Sequence, residues 1–305
     1  MRWGEMVNCN YTMRQLLTRG HSNMSIRIPA ITRKQVASFL KPRPHDSHKS
    51  QFGTVVVIGG ASGMIGAPLL AARAALKMGA GCVHAGLLAD NAPNVDILQP
   101  ELMLHDAQTA LHLPKLDVIA IGCGMGHDLA AQKILYQTLN MNVALVMDAD
   151  ALNILALHPD LQAMVIARKS ATVITPHPGE AAHLLAISTN AVQAARVEAA
   201  QKLAKQFQCS VILKGAHSLC VTRTGKIHVN KTGNPGMSSP GMGDVLTGMI
   251  AAFIAQRLDA DEALLLAVHL HGAAGDALAH QGITVGMTAT EVTEWARWLL
   301  TQWST

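Results

Sequence analysis

Short apolar runs rich in β-branched residues alternate with alanine-rich stretches from Phe52 onward, and no other feature of the chain limits its fold so closely. The runs at residues 54–58, 82–87, 117–121, 144–147, 172–175 and 211–213 predict strands. Their near-continuous apolar character is what a strand covered on both faces requires. Between them, residues 67–78, 129–139, 149–157, 179–185 and 191–207 predict helices. Strands and helices in this alternation build a parallel sheet with crossover helices. The rhythm then changes. Residues 219–221 and 227–229, joined through Thr224-Gly225, predict a hairpin added to the sheet edge, and the chain beyond Asp244 predicts helices over 245–256, 261–280 and 290–303. The expected fold is therefore α/β, a mainly parallel sheet covered by helices, which takes ligands outside the C-terminal ends of its strands.

A chain of 305 residues exceeds the usual domain size, yet α/β folds of this length form single units with one large core. Residues 25–305 are expected to be one domain, preceded by an extension over 1–24 that lacks periodicity and ends at a second possible start, Met24. The stretch 41–49 is polar and broken by Pro42 and Pro44, so it cannot be a core element. Only 14% of residues are charged and 50% are hydrophobic, against an ordinary charged share of about 25%. That excludes disorder and points to extensive burial, with a homo-oligomer as the expected assembly. The net charge of +4 and pI near 8.9 favour anionic small molecules, while the lack of a Lys/Arg run excludes a polynucleotide groove. The five cysteines are scattered without a CxxC pair, as in a reducing compartment. No apolar run reaches the ~20 residues of a membrane helix and no signal peptide is evident. A soluble cytoplasmic protein is expected.

The chemistry concentrates at predicted strand ends. Asn234-Pro235-Gly236 and then Gly241-Met242-Gly243-Asp244-Val245-Leu246-Thr247-Gly248 lead into a helix. Glycines let backbone N–H groups approach phosphate, and a helix N-terminus adds partial positive charge. A carboxylate there faces a substrate hydroxyl, or Asp244 simply caps the helix. Val211-Ile212-Leu213-Lys214-Gly215-Ala216-His217-Ser218 ends a buried strand in a lysine and a turn, suited to a nucleotide or to a plain surface turn. In Thr175-Pro176-His177-Pro178-Gly179-Glu180, two prolines stiffen a polar turn. Glu180 there holds Mg²⁺ through water, or it offsets the helix dipole while His177 packs. Asp148-Ala149-Asp150-Ala151-Leu152-Asn153 offers two carboxylates and an amide to Mg²⁺ and its waters, or a cap from Asp150.

Two further glycine loops follow strands. Gly59-Gly60-Ala61-Ser62-Gly63-Met64-Ile65-Gly66 is out of register with G-x-G-x-x-G and no acidic residue ends the next strand, which disfavours a hydride-transferring dinucleotide fold. Gly122-Cys123-Gly124-Met125-Gly126 suits close ligand contact or a tight turn. The fifteen histidines form no metal-ligand spacing, and Trp295, Trp298 and Trp303 read as a packing stripe.

Taken together and in this order over about residues 40–290, these motifs resemble the ADP/ATP-dependent NAD(P)H-hydrate dehydratase family, a branch of the ribokinase-like fold. The resemblance implies a three-layer α/β/α sandwich. It also implies nucleotide-dependent dehydration of the S epimer of hydrated NADH or NADPH, with AMP from ADP, or ADP from ATP, and phosphate as products. By the same resemblance Asp244 is the catalytic base. Ala67, Gly126, His177 and Asp244 contact the hydrated dinucleotide; Lys214, Gly215, Ala216, His217, Ser218 and Gly243 hold the nucleotide; Mg²⁺ lies near Glu180 and Asp148. A homotetramer and a separate epimerase acting upstream are implied as well. One departure stands out: the family turn commonly reads Gly-Gly-Thr-Gly-Asp, where this chain has Pro240-Gly241-Met242-Gly243-Asp244. Rival readings are a ribokinase-like kinase for a small hydroxymethyl vitamin precursor and a nucleotide-binding regulator without chemistry.

Overall fold

The computed structural model describes residues 28–304, so the expected 1–24 extension lies outside the described residues. Seven parallel strands, β1 (Thr54–Gly59), β2 (Cys82–Leu87), β3 (Met103–Asp106), β4 (Val118–Ile121), β5 (Ala144–Met147), β6 (Thr172–Ile174) and β7 (Ser210–Leu213), form the sheet. Two antiparallel strands, β8 (Leu219–Val221) and β9 (Ile227–Val229), extend one edge, as the hairpin expectation required. The spatial order is β3-β2-β1-β4-β5-β6-β7-β8-β9, so the direction of winding reverses between β1 and β4.

The helices are α1 (Arg33–Ala37), α2 (Gly66–Lys77), α3 (Ala107–Ala110), α4 (Leu129–Leu139), α5 (Ala149–Leu157), α6 (Pro159–Ala167), α7 (Pro178–Leu185), α8 (Thr189–Ala194), α9 (Arg196–Phe207), α10 (Met242–Ala255), α11 (Ala260–His280) and α12 (Ala289–Trp303). Strand side chains alternate between two cores, because successive residues of a strand point to opposite faces. Val55, Val57, Val83, Ala85, Val118 and Ala120 pack with α2, α10, α11 and α12 on one face. Val56, Ile58, Ile119, Ile121, Leu145 and Met147 pack with the helices from α3 to α9 on the other. Three layers result, and both faces of β1, β4 and β5 are dry, which explains their unbroken apolar sequence.

The sequence expectations differ from the structure at several elements, among them the short helices α1 and α3, which were not expected. Strand β3 carries no apolar run because it sits half exposed at the sheet edge. Helix α6 follows α5 directly, with His158 ending one and opening the other. The single helix expected over 191–207 is broken at Ala195, whose backbone (φ −136°, ψ 54°) leaves the helical region. Helix α10 starts at Met242, ahead of the expected residue 245. Of the tryptophans, Trp303 is buried, whereas Trp298 is 54% exposed and packs edge-on against Trp295.

Helix α10 is seated deeply against α2. A Cβ at Gly248 would lie 2.0 Å from the carbonyl oxygen of Ala71, so only glycine permits this approach. That contact fixes the N-terminus of α10 beside the C-terminal ends of β1, β4, β5 and β7.

Candidate active site

Gly241 precedes α10 with φ 88°, a left-handed conformation that glycine adopts without strain, and no side chain caps the helix. Asp244 is therefore the third helical residue and not the cap, which corrects the capping alternative. The uncapped first turn leaves backbone donors and the positive end of the helix dipole at the site, as an anion needs. Met242 turns inward: it is 9% exposed and packs in the core with Val245 and Leu246. The residue that departs from the family turn is thus a packing residue, and its backbone keeps the loop's path.

Asp244 is mostly buried. Burial pushes its pKa up to about 6; a hydrogen bond from the Cys123 thiol and the charge of Lys214 oppose the rise, and Asp148 and Asp150 add to it. Lys214, at the end of β7, donates from Nζ to Asp148 Oδ1 and lies 3.8 Å from Glu180 Oε2. The other Asp148 oxygen accepts from the buried Thr247 hydroxyl at 3.0 Å. Burial works against the Lys214 charge, but Asp148 and Glu180 outweigh it and hold its pKa above the ordinary lysine value. Glu180 moves the other way: burial raises it to about 7 despite Lys214, with Asp148 adding to the rise. Gly243 lies directly over this group, since a Cβ there would sit 3.3 Å from both Asp148 Oδ2 and Lys214 Nζ.

The stiffened turn after β6 has a capping role as well. His177 Nδ1 accepts from the N–H groups of Gly179 and Glu180, while the His177 N–H donates to Glu180 Oε2 at 2.6 Å. The imidazole nevertheless stays 54% exposed, with Nε2 3.2 Å from Glu180 Oε1. Burial and then the Lys214 charge lower its pKa, so it stands neutral at the site at pH 7. Asp150 does not cap α5. It accepts from Gly126 N–H at 2.9 Å and lies 3.3 Å from His127 Nε2, tying the glycine loop after β4 to the β5 end.

The two glycine loops meet across the β1/β4 reversal. Gly60 and Ala61 donate to the carbonyls of Cys123 and Gly124 at 3.1 and 2.7 Å. A Cβ on Gly124 would lie 3.2 Å from that of Ala67, and one on Gly126 would lie 3.4 Å from that of Ala61, so the two loops pack against each other. Gly215, Ala216 and His217 form an exposed turn, closed by Ser218 Oγ donating to Gly215 O at 2.9 Å. Arg196 braces it from below through bonds of 3.3 Å to the carbonyls of Leu213 and Lys214.

Asp244, Gly243, Lys214, Asp148, Glu180 and His177 thus gather in one place, with Ala67 and Gly126 on one side and the 214–218 turn on the other. Sequence reasoning missed Cys123, Thr247 and Arg196. Thr247 had a usable signal, because position i+3 from Asp244 shares its helix face. Arg196 had none, being 17 and 18 residues from the carbonyls it holds. A groove of about 800 Å³ near Phe39, Arg43, Met78, Phe253 and Gln256 lies elsewhere, at the C-terminal end of α10.

The model of the family described as NAD(P)H-hydrate dehydratase matches residues 55–297, a span that includes every residue of this site. The chain belongs to the NAD(P)H-hydrate dehydratase family. It is 40% identical over 263 residues to the ADP-dependent (S)-NAD(P)H-hydrate dehydratase of Neisseria meningitidis, covering 85% of this chain and 88% of that protein. It is 37% identical over 269 residues to the bifunctional NAD(P)H-hydrate repair enzyme of Escherichia coli, covering 87% of this chain and 51% of that one. The chain therefore spans about half the length of that bifunctional relative. Among solved structures, the ADP/ATP-dependent NAD(P)H-hydrate dehydratase of Bacillus subtilis, co-crystallised with ATP and Mg²⁺, matches with a TM-score of 0.82 at 28% identity, covering 92% of this chain and all (100%) of that one. A ribokinase-like superfamily protein of Enterococcus faecalis matches with a TM-score of 0.80 at 26% identity over 93% of this chain and 99% of its own. The dehydratase-family fold is thus ribokinase-like, as expected. Among the described residues no helix is long and apolar enough to cross a membrane.

Proposed function

We propose that this member of the dehydratase family catalyses ADP- or ATP-dependent dehydration of (S)-NAD(P)H hydrate, restoring NADH or NADPH. The observation that carries the reading is Asp244: a buried carboxylate in the first turn of an uncapped helix, with its pKa raised to about 6. Hydroxide is a poor leaving group, so the ring hydroxyl of the hydrate is first phosphorylated. Asp244 takes the hydroxyl proton, a role that needs it within ~3 Å directly or through one water. The terminal phosphoryl group of the nucleotide passes to the freed oxygen, and AMP leaves from ADP, or ADP from ATP. Backbone N–H groups near Gly243 offset the charge that develops on the transferring group. The ring nitrogen's electron pair then expels phosphate, and loss of a neighbouring ring proton restores the double bond.

Lys214 and the turn Gly215, Ala216, His217 and Ser218 hold the nucleotide beside Gly243. Ala67, Gly126 and His177 face the hydrated dinucleotide. The fit to Mg²⁺ is indirect. Both Asp148 oxygens already accept from Lys214 and Thr247, and the Glu180 oxygens face His177. An ion that keeps most of its waters and binds nucleotide phosphates suits such a pair, with Glu180 and Asp148 reached through water. When bound, Mg²⁺ neutralises phosphate charge. The R epimer would need a separate epimerase, and assembly of copies into a homo-oligomer completes the proposal.

The test is recovery of intact NADH absorbance when purified protein is mixed with hydrated NADH, Mg²⁺ and either ADP or ATP. Asp244→Asn is expected to lose about 10²-fold or more in turnover while binding nucleotide as the parent does. Full activity in that variant would remove the proposed base, and no recovery with either nucleotide would remove the reaction. A kinase for a small hydroxymethyl compound would instead consume nucleotide without restoring NADH. The likeness to a hydroxyethylthiazole kinase of Pyrococcus horikoshii, at 15% identity and a TM-score of 0.57, concerns the fold alone.

A further inference from the structure

We propose that Thr247 is a positioning residue for nucleotide binding: its buried hydroxyl holds one oxygen of Asp148, so that the other oxygen sets the Lys214 ammonium beneath Gly243. The proposal rests on the reading that Lys214 holds the nucleotide. Thr247 is 0% exposed and Asp148 1%, so the two meet out of contact with water. The Thr247 hydroxyl donates to Asp148 Oδ2 at 3.0 Å, while Asp148 Oδ1 accepts from Lys214 Nζ. A threonine inside a helix ordinarily turns its hydroxyl back to a carbonyl of the preceding turn. The buried Thr138 and Thr293 do so, donating to the carbonyls of Ile134 and Ala289. Thr247 donates across the core instead, to a residue 99 positions away.

Both sides of this contact are fixed by backbone. On the helix side, the neighbouring Gly248 abuts the Ala71 carbonyl, which sets the depth of α10. On the strand side, Asp148 N–H donates to Ile121 O at 3.1 Å and Asp150 N–H to Gly122 O at 3.2 Å. Ala149 between them holds φ 48°, a left-handed conformation that a non-glycine residue keeps only where its surroundings impose it. Asp148 is therefore presented at one place, and the rotation of its carboxylate is what remains to be set. A carboxylate with both oxygens open would take the ammonium between them. The Thr247 hydroxyl occupies Oδ2 and confines Lys214 to Oδ1. An ammonium carries three donors: one goes to Asp148, Glu180 Oε2 stands 3.8 Å away, and the remainder is left for a nucleotide phosphate. Gly243 marks that place, since a Cβ on it would lie 3.3 Å from both Asp148 Oδ2 and Lys214 Nζ. The free backbone donors of the first turn of α10 lie beside it.

The experiment measures affinity for ADP in the presence of Mg²⁺ by calorimetry, together with kcat and nucleotide KM. The variants are Thr247→Val, Thr247→Ser, Lys214→Gln and the double variant that joins Thr247→Val to Lys214→Gln. Thr247→Val keeps the shape and removes the hydroxyl. It is expected to weaken ADP binding and raise KM about tenfold, the effect of a hydrogen bond to a charged group. Its kcat is expected to stay within about twofold, because Lys214 holds the nucleotide before and during transfer alike. Thr247→Ser keeps the donor and is expected to restore affinity to within about twofold of the parent. In the Lys214→Gln background, Thr247→Val is expected to add less than about twofold, because the hydroxyl acts through that ammonium. Parental affinity in Thr247→Val overturns the proposal, as do equal losses in the Val and Ser variants or an undiminished further loss in the double variant. Should Thr247→Val fail to fold, Thr247→Ala removes the same hydroxyl and supplies the same donor-free contrast. If Lys214→Gln is weakened and Thr247→Val is parental, only the positioning role falls. If Lys214→Gln binds ADP as the parent does, the nucleotide role of Lys214 falls first and takes the positioning role with it.

Discussion

Asp244 is taken out of water without a cation of its own, since Lys214 is already bound to Asp148. The folded protein therefore holds the Asp244 proton more tightly than the unfolded chain does, with a pKa of about 6 against 3.8. For a group raised in this sense, stability is fully present below the unfolded value and is lost as pH rises through the folded one. Asp244→Asn removes the titration. The variant is expected to be more stable than the parent at pH 8 by up to about 3 kcal/mol and no more stable near pH 4, as read by thermal melts at the two pH values. A gain equal at both would show that the carboxylate is not the cause. The proposed base thus costs the fold stability at working pH. Asp244 itself was legible from its place after Gly241-Met242-Gly243. Its surroundings were not: Thr247 meets Asp148 across 99 positions of sequence, and nothing local in the chain encodes which loop delivers a thiol.

At the scale of elements, α10 is the piece that turns strand ends into a site, and Gly248 sets its depth. Helix propensity alone would have Gly248→Ala stabilise by about 1 kcal/mol. A Cβ 2.0 Å from the Ala71 carbonyl oxygen forces α10 away from α2, and overpacking of this kind costs about 1–3 kcal/mol. The clash is against backbone, so it wins. Gly248→Ala is expected to lower the urea midpoint and to weaken turnover, whereas a raised midpoint would mean that α10 sits less tightly than described. Elements were legible where burial is uniform, as in β1, β4 and β5, because two dry faces leave an unbroken apolar run. They were illegible where neighbours override local pattern. Edge strand β3 pairs with β2 while only Leu104 of its four residues packs against the core, and Ala195 breaks a continuous helical pattern between α8 and α9.

For the whole molecule, one surface feature bears on assembly. Arg73 makes two hydrogen bonds to the buried Asp96, at 2.6 and 2.7 Å, and this anchored turn presents Ile97 and Leu98 at 87% and 78% exposure. Rigidly held apolar side chains in water favour covering by another molecule, which supports the proposed homo-oligomer. Ile97→Asp with Leu98→Asp is expected to lower the mass measured by light scattering, and an unchanged oligomer would place its interface elsewhere. The sequence by itself determined the α/β class, the hairpin at the edge and the family, because strand runs, crossover helices and glycine turns are local patterns set by burial and backbone conformation. Only the tertiary structure decided that Met242 packs inward, that Asp244 sits inside the first turn of its helix instead of capping it, and that Asp148 is shared between Lys214 and Thr247. Each of these depends on how closely α10 approaches the strand ends, a distance fixed by packing between segments far apart in the chain.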